Sequence, residues 1–537
     1  MTINRLSAVA RLIAVAAACL GPAAVAQSQP ANAPAAGRTE PFFQIVVTPT
    51  NIPNPPFSGR LTIYMIKQGP EKANVDRKLG PADGPFFTDP QPMFSMEVKD
   101  LKEGDQIRFR PDQTFPFPLK DLPPGRYWAG AVLDRGREHS SWQKEGMNLS
   151  SPYVNFEVVE GKETFARFEL VENPERLPKV IKDFEYFTVK SDALSKFRGK
   201  DVTLKAGVVF PTNYDPSKTY PAVYWVHGFP STSDYGGDWR DAEREAWIRM
   251  NKSRPTHPVF ENAFFIALDA QGPFGHTLLA DSANNGPVSQ ALLTELIPAL
   301  ESKFRLIAKP EARVLRGHSS GGWSAIWLTM NHPEVFGAAW ASCPDPVDFR
   351  AFQASNIYDQ KNIFTGADGK DTPSYRQGGK NLMTVRQENA MERVLGPNGE
   401  SGQQWSSWQA VFGPRGDNGN PKPLFNIATG AIDQSVAEAW KKYDISLLVK
   451  SDPAKFGPVF RDRIRIVAAE NDNFFLGESV KMLAKTLEGA KMLGARGTGG
   501  YVEVRPNEDH GTLASDAAFN KLWDEVLEHW KRSKMVP

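Results

Sequence analysis

Two hydrophobic rhythms divide the chain. Between residues 41 and 175, short runs rich in β-branched and aromatic residues alternate with turns rich in proline and glycine; residues 43–47, 59–64, 125–133 and 164–170 are examples. Short strands at that spacing predict a small all-β sandwich. From about residue 183 the rhythm changes. Strand-like runs at 221–226, 263–268, 312–315, 337–342, 464–469 and 501–504 alternate with helical patterns at 288–303, 320–331, 477–488 and 514–533. Alternation of this kind predicts an α/β domain over 183–537, a mostly parallel sheet with helices on both faces.

One segment breaks the second rhythm. Residues 350–455 are rich in Gly, Asn, Gln, Lys and Trp, and are expected to form a large, partly helical insertion above the sheet, as a lid or a substrate wall. Its tryptophans, Trp405, Trp408 and Trp440, offer faces that could stack on sugars or aromatic acyl groups, or could simply pack the insertion. Trp323 and Trp327 have helix-face spacing and belong to the core.

The N-terminus has a different texture. Arg5 and Arg11 flank or precede a short apolar run, 12–20, and Ala24-Val25-Ala26 is a small-x-small cleavage pattern. Residues 1–26 are therefore expected to be a signal peptide cut after Ala26, giving a periplasmic or secreted protein. The apolar run is too short to predict stable membrane insertion. Residues 27–40, with their Ala, Pro, Gln and Ser, read as a flexible leader.

Composition narrows the classes. A chain of 537 residues exceeds one comfortable core, which agrees with two domains. Net charge is +1, and a chain without Arg5 and Arg11 would carry −1, so nucleic-acid binding is not expected. Only Cys19 and Cys343 are present, and cleavage leaves Cys343 alone, a small buried apolar residue by expectation. No cysteine–histidine cluster suggests a zinc site.

The chemistry lies at Arg316-Gly317-His318-Ser319-Ser320-Gly321-Gly322. It reads Gly-x-Ser-x-Gly between a strand candidate and a helix candidate, the context of a nucleophile elbow, with Ser319 at its centre. A serine needs a histidine to take its proton and an acid to orient that histidine, here in the chain order Ser, acid, His. His510 follows the 501–504 strand, whereas His529 lies on an amphipathic helix where a solvated role is expected. Asp472 follows the 464–469 strand at the usual position of the acid, and Glu470, Asp345 and Asp348 compete with it. Asp509, adjacent to His510, is expected to point elsewhere. The backbone N–H groups of Ser320 and of Phe229, in the turn His227-Gly228-Phe229-Pro230, are the expected oxyanion-hole donors. Pro230 has no N–H, and His227 is expected to be a structural hydrogen-bond partner.

Taken together, these residues resemble the Putative esterase family of α/β-hydrolases, a group that includes esterase D-like, feruloyl, acetylxylan and enterochelin esterases and the mycolyltransferases. Tyr220-Pro221-Ala222-Val223-Tyr224-Trp225-Val226-His227-Gly228, the loop 281–287 and Glu295-Leu296-Ile297-Pro298 extend the likeness, which covers residues 183–345 and 455–535. The resemblance implies ester hydrolysis through an acyl-serine intermediate, with no metal or organic cofactor. It also implies an immunoglobulin-like character for the β domain at 41–175. The expected partner is a small-molecule or carbohydrate-linked ester substrate. A peptidase or acyltransferase on the same triad, or a binding protein with a vestigial triad, remain as alternatives, and the pattern leaves the oligomeric state open.

Overall fold

Alternation of inward and outward side chains builds the N-terminal domain. In the computed structural model the described residues are 40–49, 56–69, 80–83, 88–135, 148–173, 183–212, 214–229, 257–514 and 516–537. The expected signal peptide, residues 27–39 of the expected leader and Pro230 lie outside them. Among the described residues, nine strands between Phe42 and Glu172 form one hydrogen-bonded sheet, eight along a single path and the ninth, Val154–Val158, paired off it with Gly125–Asp134. The strand Phe165–Glu172 shows the rule: Ala166, Phe168 and Leu170 are buried and their neighbours are not. They join Phe43, Ile45 and Val47 and Leu61, Ile63 and Met65 in one core, so the path curls on itself. Tyr127 Oη donates to the Pro123 carbonyl at 2.8 Å, a corner bond found in Greek-key sandwiches.

The second domain is built on eight strands, numbered here β1 to β8. They are β1 (Phe184–Lys190), β2 (Thr203–Val209), β3 (Ala222–Val226), β4 (Phe264–Leu268), β5 (Arg313–His318), β6 (Ala338–Ser342), β7 (Ile464–Ala469) and β8 (Tyr501–Arg505). Their order across the sheet is β1-β2-β4-β3-β5-β6-β7-β8. β2 pairs antiparallel with both β1 and β4, and the pairings from β4 to β8 are parallel. This is the α/β-hydrolase sheet. Its antiparallel start, β1 and β2, was not among the sequence candidates.

The sheet is buried on both faces, as parallel strands require. Val208, Tyr224, Ile266 and Leu315 face a core shared with Leu292, Leu296 and Leu300. Val209, Val223, Phe265 and Val314 face the other way, onto Trp523, Val526 and Trp530 of the C-terminal helix Asp516–Arg532. His529 on that helix departs from its expected solvated role. Its Nε2 lies 3.1 Å from the Glu311 carbonyl and its ring meets Trp340 edge-on. Burial pushes its pKa down to about 4.

Helix α1 (Ser320–Asn331) follows β5 and is buried along most of its length. The insertion contains the hairpin Pro373–Gln377/Lys380–Thr384, helix α2 (Val385–Leu395) and helix α3 (Gln404–Phe412). Thr384 and Gln387 form a capping box that starts α2. Trp405, Trp408 and Trp440 are at most 2% exposed and share a core with Trp323, Ile326, Ile464 and Ile466. The expectation that these tryptophans could offer faces to a substrate is corrected: they pack the insertion onto the sheet. The insertion also meets the β domain. Met391, Val394 and Leu395 of α2 pack against Tyr64, Met93, Phe115 and Val132. Arg60 Nε and Ser95 Oγ donate to the Val394 carbonyl at the end of α2.

Candidate active site

The turn after β5 forces one serine out of the regular backbone. Ser319 has φ 56° and ψ −126°, a conformation that non-glycine residues seldom hold. The flanking glycines make it possible by their lack of a side chain. A Cβ on Gly317 would stand 1.9 Å from the Gly321 carbonyl oxygen, and one on Gly321 would stand 2.0 Å from that of Val226. Strand β5, the start of α1 and the end of β3 can close together only because both positions are glycine.

Five sequence-selected residues come to the carboxyl edge of the sheet. Ser319 follows β5, Asp472 follows β7, His510 follows β8, Phe229 follows β3, and Ser320 opens α1. His510 Nδ1 lies 2.7 Å from Asp472 Oδ2, and both residues are buried. Asp472 Oδ1 accepts from the backbone N–H groups of Phe474 at 2.9 Å and Leu476 at 3.3 Å, which fixes the carboxylate. The His510 ring stands 4.5 Å from the ring of His318, the residue before Ser319, so this imidazole lies beside the elbow. The Ser319 hydroxyl makes no hydrogen bond among the described residues. A serine–histidine bond that tightens only with substrate bound is common in unliganded hydrolases.

The electrostatics suit proton transfer. Burial alone would depress the His510 pKa, but the charge and hydrogen bond of Asp472, with Asp345 and Asp509 beyond, hold it above its ordinary value. Burial would raise that of Asp472, and His510 with the two backbone donors holds it below the usual carboxylate range. Because Nδ1–H is directed to Asp472, Nε2 is left as the basic nitrogen.

The head of α1 and the loop after β3 lie beside Ser319. The N–H of Ser320 is among the first of its helix, where no intrahelical acceptor exists and the helix dipole favours negative charge. The loop 227–229 approaches Ser319 closely: a Cβ on Gly228 would lie 3.0 Å from Ser319 Cβ. His227 is structural, as expected. Its Nδ1 lies 2.9 Å from the Gly228 carbonyl, and His276 Nε2 lies 3.1 Å from the carbonyl of His227. Burial pushes the pKa of both imidazoles down.

The competing acids are engaged elsewhere. Asp348 pairs with Arg350, Asp509 accepts from Thr512 N at 2.8 Å, and Glu470 faces Lys481. Asp345 instead accepts the Ser320 hydroxyl at 2.7 Å and the Trp408 indole N–H at 2.7 Å. Two further residues have no signal in the sequence. Arg376, on the insertion hairpin, donates to the carbonyls of Asp472 at 2.9 Å and Glu470 at 3.1 Å. Asn473 accepts the His510 backbone N–H at 3.1 Å.

Cys343, Asp472 and His510 bring one potential ligand atom each within 4.8 Å of one another. His510 Nδ1 and Asp472 Oδ2 are only 2.7 Å apart, a hydrogen-bond distance. Two ligands on one tetrahedral zinc stand roughly 3.3 Å apart, so this group fits a hydrogen-bonded cluster better than a metal site. Burial, then Asp472, pushes the Cys343 thiol pKa well up, which keeps it protonated and inert. No helix among the described residues is long and apolar enough to cross a membrane.

A family model described as Putative esterase matches residues 201–522. The chain is 27% identical over 139 residues to a protein of Aspergillus clavatus described as a probable dipeptidyl-peptidase 5, a match that covers 25% of this chain and 17% of that relative. Among solved structures, a ferulic acid esterase overlaps 65% of this chain and 99% of its own, with 13% identity and a TM-score of 0.36. An S-formylglutathione hydrolase from Agrobacterium tumefaciens overlaps 64% of this chain and 94% of its own, with 14% identity and a TM-score of 0.35.

Proposed function

The chain belongs to the Putative esterase family, and from that premise we propose that it is a serine hydrolase that cleaves carboxylic esters through an acyl-Ser319 intermediate. The observation that carries this reading is the buried 2.7 Å His510–Asp472 hydrogen bond beside a serine held at positive φ. In the proposed cycle, Ser319 Oγ attacks the ester carbonyl while His510 Nε2 takes its proton. The oxyanion that forms is bound by the N–H groups of Ser320 and Phe229. Asp472 keeps the imidazole oriented and stabilises its charged form. His510 then returns the proton to the departing alkoxide. In the second half a water, deprotonated by His510, attacks the acyl-enzyme; the acyl–Oγ bond breaks, His510 gives its proton to Ser319 Oγ, and the acid is released.

A fluorophosphonate probe tests this directly. Peptide mapping is expected to find the label on Ser319; label on another serine overturns the assignment. A panel of short-chain acyl, feruloyl, acetyl-sugar and siderophore esters then defines the substrate. A second reading, peptide hydrolysis on the same residues, draws on the printed description of the Aspergillus relative. Turnover of dipeptide amides in preference to every ester of the panel would favour it. The export reading of residues 1–26 is part of the proposal, and N-terminal sequencing of protein recovered outside the cytoplasm, starting at Gln27, is its check.

A further inference from the structure

Asp345 is a carboxylate in an expensive place. It lies three residues beyond β6, as Asp472 lies three beyond β7, and it is 1% exposed. No lysine or arginine neutralises it among the described residues. An uncompensated buried carboxylate costs several kcal/mol, so its retention asks for a reason.

Its partners supply one. Oδ2 accepts from Ser320 Oγ at 2.7 Å, Trp408 Nε1 at 2.7 Å and Gln404 Nε2 at 3.4 Å. Its backbone N–H donates to the Ser319 carbonyl at 3.2 Å. Ser320 is the residue whose N–H faces the oxyanion in the proposed cycle, and Gln404 and Trp408 are one turn apart on α3 of the insertion. One carboxylate thus joins the nucleophile's peptide, the oxyanion donor and the insertion.

We propose that Asp345 is a positioning residue for catalysis: it holds Ser320 at the head of α1, fastens the insertion helix α3 to the elbow, and places a negative charge near the imidazolium that forms on His510. The inference rests on the serine-hydrolase reading above. Burial, partly offset by Trp408, Ser320 and His510, raises the Asp345 pKa to about 6, so it carries charge at neutral pH. His510 is faced by Asp472 from the acid loop, by Asp345 from the loop after β6 and by Asp509 on its own loop. Among the described residues, the His318 ring from β5 and the Cys343 thiol also lie beside it. Asp345 favours the charged imidazole, and its removal lowers the His510 pKa.

Three variants of the full chain test the proposal with a p-nitrophenyl ester. Asp345→Asn keeps the size and one acceptor but removes the charge. It is expected to lower kcat about tenfold, with KM within about twofold, and to move the acid limb of kcat/KM to lower pH. Asp345→Ala is expected to lower kcat further. A folded Asp345→Asn enzyme with unchanged kcat and an unmoved acid limb overturns the proposal. If the Asp345 variants do not fold, Ser320→Ala and Trp408→Phe replace them. Their effects on kcat are expected to be coupled through the shared carboxylate, so that the double variant loses less than the product of the two; independent losses overturn the proposal. Fluorophosphonate labelling of the unmodified enzyme separates the two readings. No label on Ser319 removes both, whereas normal labelling with an unaffected Asp345→Asn removes this one alone.

Discussion

Arg376 Nε donates to the main-chain carbonyl of Asp472 at 2.9 Å, so a side chain of the insertion holds the loop that carries the acid. The link is reinforced on both sides. Arg376 N donates to the Asn473 carbonyl at 2.8 Å, and Asn473 Nδ2 donates back to the carbonyl of Arg376 at 2.8 Å. Asn473 Oδ1 then takes the His510 N–H. The hairpin 373–384 therefore braces acid and base together, and the insertion belongs to the structure of the site as well as to its surroundings.

Replacing Arg376 with Ala is expected to reduce kcat by about tenfold and stability by about 1–3 kcal/mol, since two carbonyls lose a charged donor. Arg376→Lys is expected to recover only part of the loss, because an ammonium cannot reproduce the planar fork that reaches both carbonyls. Steady-state kinetics with denaturant titration on the same samples checks both; Lys restoring full kcat would contradict the bracing role.

The His510–Asp472 pair predicts a pH profile. The His510 pKa is raised, and the base works only when neutral, so the acid limb of kcat/KM should fall above the ordinary histidine value of about 6.5. For stability the signs differ. His510 contributes stability fully present below about pH 6.5 and lost as pH rises through its folded value. Asp472, whose pKa is lowered, contributes stability present above about pH 3.9 and lost as pH falls through its folded value. Asp472→Asn should thus destabilise most between about pH 4 and 6.5, and should lower kcat by about 10³–10⁴-fold at neutral pH. Unfolding free energies across pH 4–9 and a kcat/KM profile test the two halves separately.

Gly321→Ala should disable the elbow. The added Cβ would stand 2.0 Å from the Val226 carbonyl oxygen and 2.5 Å from that of His227, both main-chain atoms at the oxyanion loop. Backbone must move, at a cost on the order of 1–3 kcal/mol, and the loop moves with it. The expected result is a folded protein of lower melting temperature that reacts with a fluorophosphonate at least about a hundredfold more slowly. Labelling at the normal rate would mean that the loop after β3 is not part of the hole.

A buried pair in the insertion makes stability depend on pH far from the triad. Glu388 and Glu392, one turn apart on α2, are raised by burial to about 8 and about 7, and for Glu388 the nearby Glu392 adds to the effect. Glu392 accepts from the N–H groups of Trp405 and Ser406 and so caps α3. The Ser374 hydroxyl and the Trp405 indole N–H, the polar groups beside the Glu388 carboxyl, offset its burial only in part. With folded values above the unfolded ones, the stability linked to this pair is full below about pH 4.3 and is lost as pH rises through the folded values. Glu388→Gln should therefore stabilise the protein at pH 8.5 by on the order of 1–3 kcal/mol and have little effect at pH 5. Equal effects at both pH values would show that the carboxyl does not titrate in this range.

Much of the site can be read along the chain because its chemistry is local to strand ends. Ser319 is marked by two glycines that a tight strand–turn–helix needs, and Asp472 and His510 each follow a run of strand residues. Asp345 has the same local mark as Asp472, three residues past a buried strand, and only the strand that each follows favoured Asp472 in the sequence. Position across the sheet does: β7 lies beside β8, so its loop reaches His510, whereas β6 lies beside β5 and its loop reaches Ser320.

What the sequence by itself determined was the α/β class of the second domain, most of its sheet and the chain order of the candidate site residues. Periodicity and turn residues are local properties, and they marked both domains, the parallel strands from β3 onward and the elbow. What only the tertiary structure decided was who meets whom. The tryptophans of the insertion went into the common core because burying an indole releases more water than stacking it at a surface. Arg376 found the acid loop, Trp408 found Asp345, and α2 found the β domain, through contacts between residues tens to hundreds of positions apart. Such contacts depend on how buried surfaces fit together in space, and no local pattern records that.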